Sequence, residues 1–205
     1  MSRLLVATRS RGKQPEFREL LAPLGREIVF PEELGLAESA AEDRLEVHDS
    51  FEANASAKAG YFMRLSGLDT LADDSGLEVD ALDGEPGVHS RRFAGRSGAD
   101  HEVTAANNAE LLRRLAGVQA DSRTARYRCV LVYRPVDQAA EEIVVEGVTT
   151  GRILGQPEGE GGFGYDPLFL SDDLGISLGL APRPDKARIS HRGRAVAALI
   201  ERLTC

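Results

Sequence analysis

The stretch from Arg123 to Arg134 constrains the fold more than any other segment. Ala125, Tyr127, Cys129, Leu131 and Tyr133 alternate along one side of it, while Val130 and Val132 make its centre apolar on the other side as well. A period of two is strand geometry, and a strand apolar on both faces belongs inside a sheet covered above and below. Cys129 is therefore expected in the core. The remaining chain must supply neighbouring strands and the helices that cover them.

Arg3 to Thr8 reads as a short apolar strand running into a polar loop, and Phe17, Leu20, Leu21 and Leu24 then recur at helical spacing. That spacing predicts a helix starting near Gly12 or Lys13, with Pro15 tolerated in its first turn. Arg26 to Phe30 reads as a second strand, and the acidic residues 31–49 as a loop with room for a further strand. Ser50 is placed to cap a helix running to about Leu65, with Phe51, Ala55, Ala59 and Phe62 on one stripe and Asn54, Lys58 and Tyr61 on the adjoining one. Asp69–Ala72 and Leu77–Leu82 are predicted strands flanking an acidic turn, Asp73-Asp74-Ser75-Gly76, with Asp83-Gly84 as a tight hairpin turn. A helix is expected from about Asp100 to Ala116. Glu141–Thr150 and Gly151–Leu154 continue the sheet, and Gly155–Asp166 is glycine-rich loop. Residues 171–188 show little pattern. Ser190 is placed to cap a last helix that buries Ala195, Val196, Leu199 and Leu203.

A chain of 205 residues forms one domain, or one compact body with two lobes. Its longest apolar run, Ala195 to Ile200, falls far short of the ~20 residues needed to cross a bilayer. The apolar run Leu4 to Ala7 is too short for a signal peptide, so the expected location is the cytoplasm, with no membrane partner. A net charge of -8 disfavours a long nucleic acid but leaves room for a small anion in a local cluster of donors. Cys129 and Cys205 are expected as free thiols.

Of the 25 basic residues 22 are arginine, which makes Lys13, Lys58 and Lys186 conspicuous. A compact ammonium and a planar guanidinium are not interchangeable against a phosphate oxygen. Thr8-Arg9-Ser10-Arg11-Gly12-Lys13 joins a strand to a helix start, where an anion is favoured, yet it lacks the Walker spacing; by itself it is equally a polar surface turn. Asp73 and Asp74 offer enough carboxylate for Mg²⁺ held partly by substrate phosphates, or form a solvated acidic turn. Gly159 to Gly164 matches G-x-G-x-x-G literally, but Tyr165-Asp166-Pro167 follows in place of a helix. Its functional reading is a glycine loop presenting Phe163 or Tyr165 to a base beside Asp166. Lys186 with Ser190-His191-Arg192 makes a third patch of donors at a helix start.

Taken in order, five stretches resemble the inosine triphosphate pyrophosphatase family, the XTP/dITP diphosphatases: Leu5 to Glu16, Ser50 to Ala59, Leu71 to Gly95, Gly161 to Phe169 and Lys186 to Ala195. All three lysines fall inside them. The resemblance implies an α/β fold, a long mixed central sheet flanked by helices, with residues 1–205 forming a single domain whose two lobes enclose a nucleotide cleft, assembled as a homodimer. It also implies Mg²⁺-dependent hydrolysis of non-standard purine nucleoside triphosphates such as dITP, ITP and XTP to the monophosphate and pyrophosphate. By the same resemblance, Thr8, Arg9, Ser10, Arg11, Gly12 and Lys13 cradle phosphates, Asp74 accepts a proton and binds metal, and Ser75 contacts substrate. Phe163, Gly164, Tyr165, Asp166, Lys186, His191 and Arg192 are the implied base and substrate contacts. The family usually has Asn at the place of Ser10, Glu at that of Ala53 and often Tyr at that of His89. With Ala53 lacking a carboxylate, Glu46 or Glu52 is left as the second metal ligand. A chain that kept the pocket and lost hydrolysis, a nucleotide-binding or sensing protein, is the alternative.

Overall fold

The computed structural model describes residues 2–137 and 139–204, so Cys205 and its expected free thiol lie outside them. Six strands form one mixed sheet: β1 (Arg3–Val6), β2 (Glu27–Val29), β3 (Thr70–Val79), β4 (Thr124–Arg134), β5 (Ile143–Ile153) and β6 (Phe169–Ser171), in the order β2-β1-β3-β4-β5-β6. β1 pairs in parallel with β2, Leu4 opposite Ile28, and with β3, Leu5 opposite Thr70; β5 and β6 are antiparallel. Among the described residues five α-helices accompany them: α1 (Lys13–Leu21), α2 (Phe51–Ser66), α3 (Asp100–Arg114), α4 (Arg183–Ile189) and α5 (His191–Thr204). Among the described residues no helix is long and apolar enough to cross a membrane.

The chain divides into two compact units. The first comprises Met1–Asp74, Cys129–Gly147 and Arg192–Cys205; the second comprises Ser75–Arg128 and Val148–His191. In the first, the pleat of the strands sorts side chains onto two faces. Leu4, Val6, Leu71, Cys129, Leu131 and Tyr133 pack with Phe17 and Leu21 of α1 and with Ala195, Val196 and Leu199 of α5. Leu5, Ala7, Ala72 and Val132 pack on the opposite face with Ala55, Ala59 and Phe62 of α2. This is why the strand sequences here are apolar in consecutive positions. Ser50 caps α2 as expected, its Oγ accepting the Ala53 amide at 3.2 Å. The second unit is built around Leu77, Val79, Leu111, Leu115, Ala125, Tyr127, Ile153, Leu168 and Phe169.

Several expectations are corrected. Asp73-Asp74-Ser75-Gly76 is not a turn between two strands; it is the middle of the uninterrupted strand β3. The residues have turn chemistry, but here partners from other elements meet the carboxylates, so they need not face water. β3 ends at Val79, and Asp80–Leu82 is a 3-10 turn. Asp83-Gly84 does reverse the chain, with Asp83 left-handed at φ 53°, but the return makes only an isolated bridge from Glu78 to Pro86. The segment 31–49 contains 3-10 turns at Pro31–Leu34 and Glu42–Arg44 and no strand. Residues 143–153 are one strand, and within the weakly patterned region lie the end of β6 and the short helix α4.

Candidate active site

Alternation along β3 separates the two aspartates. Asp73 follows Leu71 onto the face of α1 and α5, and Asp74 follows Ala72 onto the face of α2. Asp73 is 2% exposed; its Oδ2 accepts from Lys13 Nζ at 2.7 Å and lies 3.6 Å from Arg192 Nη2. Burial by itself would raise the Asp73 pKa, but Lys13, Arg192 and Lys58 together hold it well below the usual carboxylate range. Arg192, itself buried, also donates from Nη1 to Glu16 Oε2 at 2.5 Å.

Asp74 meets a different set. Its Oδ2 accepts from Asn54 Nδ2 at 2.8 Å, and its Oδ1 lies 3.7 Å from Lys58 Nζ. Lys58 also donates to Glu46 Oε1 at 2.7 Å and to the Asp73 carbonyl. Burial is the largest influence on Asp74 and raises its pKa; Lys58 and Asn54 oppose this without cancelling it. Glu46 is moved the other way, below the ordinary range, chiefly by the charge of Lys58. The neighbouring carboxyls of one strand therefore differ in kind: Asp73 is a fixed anion in an ion-pair network, and Asp74 is the more basic of the two. Asn54 also fastens the preceding loop, since its Oδ1 accepts the His48 amide at 2.9 Å and its Nδ2 reaches His48 O at 3.3 Å.

The turn after β1 is closed by its own backbone. Lys13 N and Gln14 N donate to Ser10 O at 3.0 and 3.1 Å, and Ser10 N donates to Thr8 Oγ1 at 3.2 Å. Thr8 is buried, Arg11 and Gly12 are exposed, and Arg9 is paired with Glu42 at 2.7 Å. Lys13 is thus the side chain of this turn that joins the carboxylate cluster.

In the second unit, which Ser75 opens as a half-buried strand residue, a separate group forms on the glycine loop. Asp166 is 3% exposed; its Oδ2 accepts the Phe163 amide at 2.6 Å and Lys186 Nζ at 2.6 Å. Lys186 Nζ stands 5.0 Å from the centre of the Phe163 ring, and Phe163 is 40% exposed. Gly162, with φ 75°, lies against the Asp166 carboxylate with no room for a Cβ. Gly164 O accepts from Asn108 Nδ2 at 3.2 Å. Of the two aromatics offered for a base, Phe163 is the one at the surface; Tyr165 is buried and donates its hydroxyl to Ser90 O at 2.7 Å. His191 stacks on Tyr127 with ring centres 4.8 Å apart and planes 11° from parallel.

The sequence matches the Ham1 family over residues 4–202. The chain belongs to the Ham1 family. A relative from Ralstonia nicotianae named dITP/XTP pyrophosphatase is 45% identical over 99% of this chain and 97% of its own length. One of the same name from Methylococcus capsulatus is 44% identical over 98% of this chain and 96% of its own. The solved HAM1 protein of Coxiella burnetii superposes with a TM-score of 0.85 at 31% identity, covering 100% of this chain and 99% of that one.

For this Ham1 family chain the donor chemistry fits a hard divalent cation. Among the described residues no cluster of three or more His, Cys, Asp or Glu side chains is arranged to hold a metal alone. Glu46 and Asp74 instead share the Lys58 ammonium, a place where positive charge is already stabilised by carboxylate oxygens. One or two carboxylates completed by water and substrate phosphates is the usual Mg²⁺ arrangement. Glu46 lies in that cluster, whereas Glu52 is exposed in the first turn of α2. The family resemblance assigns no role to Asp73, Asn54 or Lys58, although Asp73 stands beside Asp74 as a candidate Mg²⁺ carboxylate and Lys58 among the conspicuous lysines. A signal existed, because Asn54 and Lys58 are four apart on one stripe of α2 and Lys58 is one of only three lysines.

Proposed function

We propose that this chain hydrolyses non-standard purine nucleoside triphosphates, dITP, ITP and XTP, to the monophosphate and pyrophosphate, with Mg²⁺ as cofactor. The observation that carries the reading is the split between the two aspartates: a buried carboxyl of raised basicity, Asp74, beside a fixed anion that anchors Lys13. The names of relatives alike over the whole length supply the substrate class. A cytoplasmic homodimer, folded as a single two-lobed domain, belongs to the same reading.

In this reading Asp74 takes the proton of the water that attacks the α-phosphorus, and the bond from that phosphorus to the α–β bridging oxygen breaks as pyrophosphate leaves. Asp74 and Glu46 would hold Mg²⁺, which would supply positive charge against the polyphosphate. Lys13 and the backbone amides of the turn from Thr8 to Gly12 meet phosphate oxygens, and Ser75 contacts the substrate. In the second unit Phe163 stacks on the base while Asp166 fixes the loop and Lys186; Gly164 and Tyr165 shape that loop. His191 serves recognition of a 6-keto purine, and Arg192, buried between Glu16 and Asp73, supports the network that anchors Lys13 at the substrate.

Purified protein is incubated with Mg²⁺ and dITP, ITP, XTP, ATP or GTP, and pyrophosphate and orthophosphate are assayed separately. Pyrophosphate released mainly from the first three is expected, and Asp74→Asn should lower kcat by about 10²- to 10⁴-fold with the fold retained. Because burial raises the Asp74 pKa, activity should fall with acidification already above the ordinary carboxylate range. Orthophosphate as the product, or tight dITP binding without turnover, refutes the reading.

A further inference from the structure

Arg9 belongs to the turn in which the sequence suggests phosphate contacts, but its guanidinium is committed elsewhere. Nε donates to Glu42 Oε2 at 2.7 Å and Nη2 to Glu42 Oε1 at 2.8 Å, a two-pronged pair, and Nη2 also reaches Leu36 O at 3.1 Å. The side chains are 19% and 15% exposed, and the guanidinium lies 5.7 Å from the centre of the Phe62 ring. Glu42 is fixed in turn, its Oε1 accepting the Ser39 amide at 3.2 Å, and Ser39 Oγ shares a 2.8 Å hydrogen bond with the Tyr61 hydroxyl of α2. A planar fork on a carboxylate, shielded from water and backed by an aromatic ring, defines both distance and angle in a way that a lysine would not.

What this pair holds is the segment that carries Glu46. Residues 36–50 contain only the 3-10 turn Glu42–Arg44, so no sheet ladder fixes their course. Glu46 follows the residue that closes this turn, Leu45, and its carboxylate must arrive at Lys58 beside Asp74. Asn54 anchors the segment at His48, on the far side of Glu46; Arg9 anchors it at Leu36 and Glu42, on the near side.

We propose that Arg9 is a positioning residue: its two-pronged pair with Glu42 fixes the loop that delivers Glu46 and thereby sets the site's affinity for Mg²⁺, and it does not contact a phosphate. This rests on the reading of Glu46 and Asp74 as the metal carboxylates. A group that holds a ligand-bearing segment in place affects metal affinity before it affects chemistry at saturating metal.

The experiment uses the full chain and the variants Glu42→Gln, Arg9→Lys and the reversed pair Arg9→Glu with Glu42→Arg. Binding of Mn²⁺ to the nucleotide-free protein is followed by electron paramagnetic resonance, and amide exchange of residues 36–46 by mass spectrometry. Glu42→Gln and Arg9→Lys should each weaken Mn²⁺ binding by about ten-fold or more and speed exchange in that segment. The reversed pair should recover most of both. With dITP, Glu42→Gln should raise the Mg²⁺ concentration for half activity while kcat at saturating Mg²⁺ stays within about two-fold. Unchanged Mn²⁺ affinity in Glu42→Gln overturns the proposal, as does an Arg9→Lys effect confined to the KM for dITP, which marks a phosphate contact. Should the wild type release no pyrophosphate, the functional reading fails, and the Mn²⁺ and exchange measurements still judge the role of Arg9.

Discussion

Replacing Lys58 with Met tests whether one buried ammonium holds the acidic cluster together. The side chain is 10% exposed, and its Nζ lies 2.7 Å from Glu46 Oε1 and 3.7 Å from Asp74 Oδ1 while also bonding the Asp73 carbonyl. Burial alone would lower the lysine pKa, but Glu46, Asp74 and Asp73 outweigh it and raise the value. Methionine fills similar space and leaves the Asp74 carboxylate, 11% exposed, without this cation. Breaking a buried pair by removing one partner costs about 3–5 kcal/mol. The Glu46 contact accounts for only about 0.5–1 kcal/mol of that, because water screens a carboxylate that is 45% exposed. At about 2–4 °C per kcal/mol for a chain of this size, Tm should fall by about 6–20 °C at pH 7.

The pH dependence has a definite sign. The raised Lys58 pKa contributes stability that is complete below the unfolded lysine value, about 10.4, and is lost as pH rises through the higher folded value. The depressed Glu46 pKa contributes stability present above the unfolded glutamate value and lost as pH falls through the folded one. The gap between wild type and variant should therefore be nearly flat from neutral pH to about pH 9 and should narrow on acidification, starting above the ordinary carboxylate range because burial raises the Asp74 pKa and the variant lacks the lysine that opposes this. Circular dichroism melts across that range measure it. A Tm drop under about 2 °C at pH 7, or a gap that widens on acidification, would show that Lys58 does not neutralise these carboxylates.

Lys13→Arg should lower kcat/KM for dITP by about 10- to 100-fold, because a broader guanidinium displaces the ammonium at Asp73; unaltered kinetics would refute the geometric argument. Gly162→Ala should destabilise by about 1–3 kcal/mol in urea melts and raise KM, since a Cβ there meets the Asp166 carboxylate in a left-handed backbone. A wild-type KM in that variant would detach Asp166 from substrate binding. Cys129, whose thiol is pushed up to about 12 by burial and then by Asp73, should resist a thiol reagent at pH 8 in a Cys205→Ser background until the protein is unfolded. Rapid labelling of the native protein would contradict that burial.

The legible parts of this fold are those whose signal is local. β4 announces itself by alternation, α2 by a Ser50 cap and an apolar stripe, and α1 by the spacing of Phe17 and Leu21. β6 has three residues and α4 seven, with Pro184, Lys186 and Arg188 and no buried residue of its own, so neither carries a period long enough to read. The acidic stretch of β3 was opaque for another reason. Asp, Ser and Gly favour turns when water is their partner, and nothing adjacent in sequence says that it is not.

What keeps Asp73 and Asp74 inside a strand comes from far along the chain: Lys13 is 60 residues from Asp73, and Arg192 is tied to Glu16 across 176. Once those cations are in place the consequence is chemical as well as structural. The pleat of β3 sends neighbouring carboxyls to opposite faces, and the two faces differ in what they offer. On one, Lys13 and Arg192 hold Asp73 ionised throughout the working range; on the other, Asn54 and a single lysine shared with Glu46 leave burial as the dominant influence on Asp74. A solvated turn, one of the two readings the sequence allows, would have left both carboxyls in water with the same affinity for a proton. The strand makes one a fixed charge and the other a base, and that difference is what a hydrolytic site requires of two adjacent aspartates.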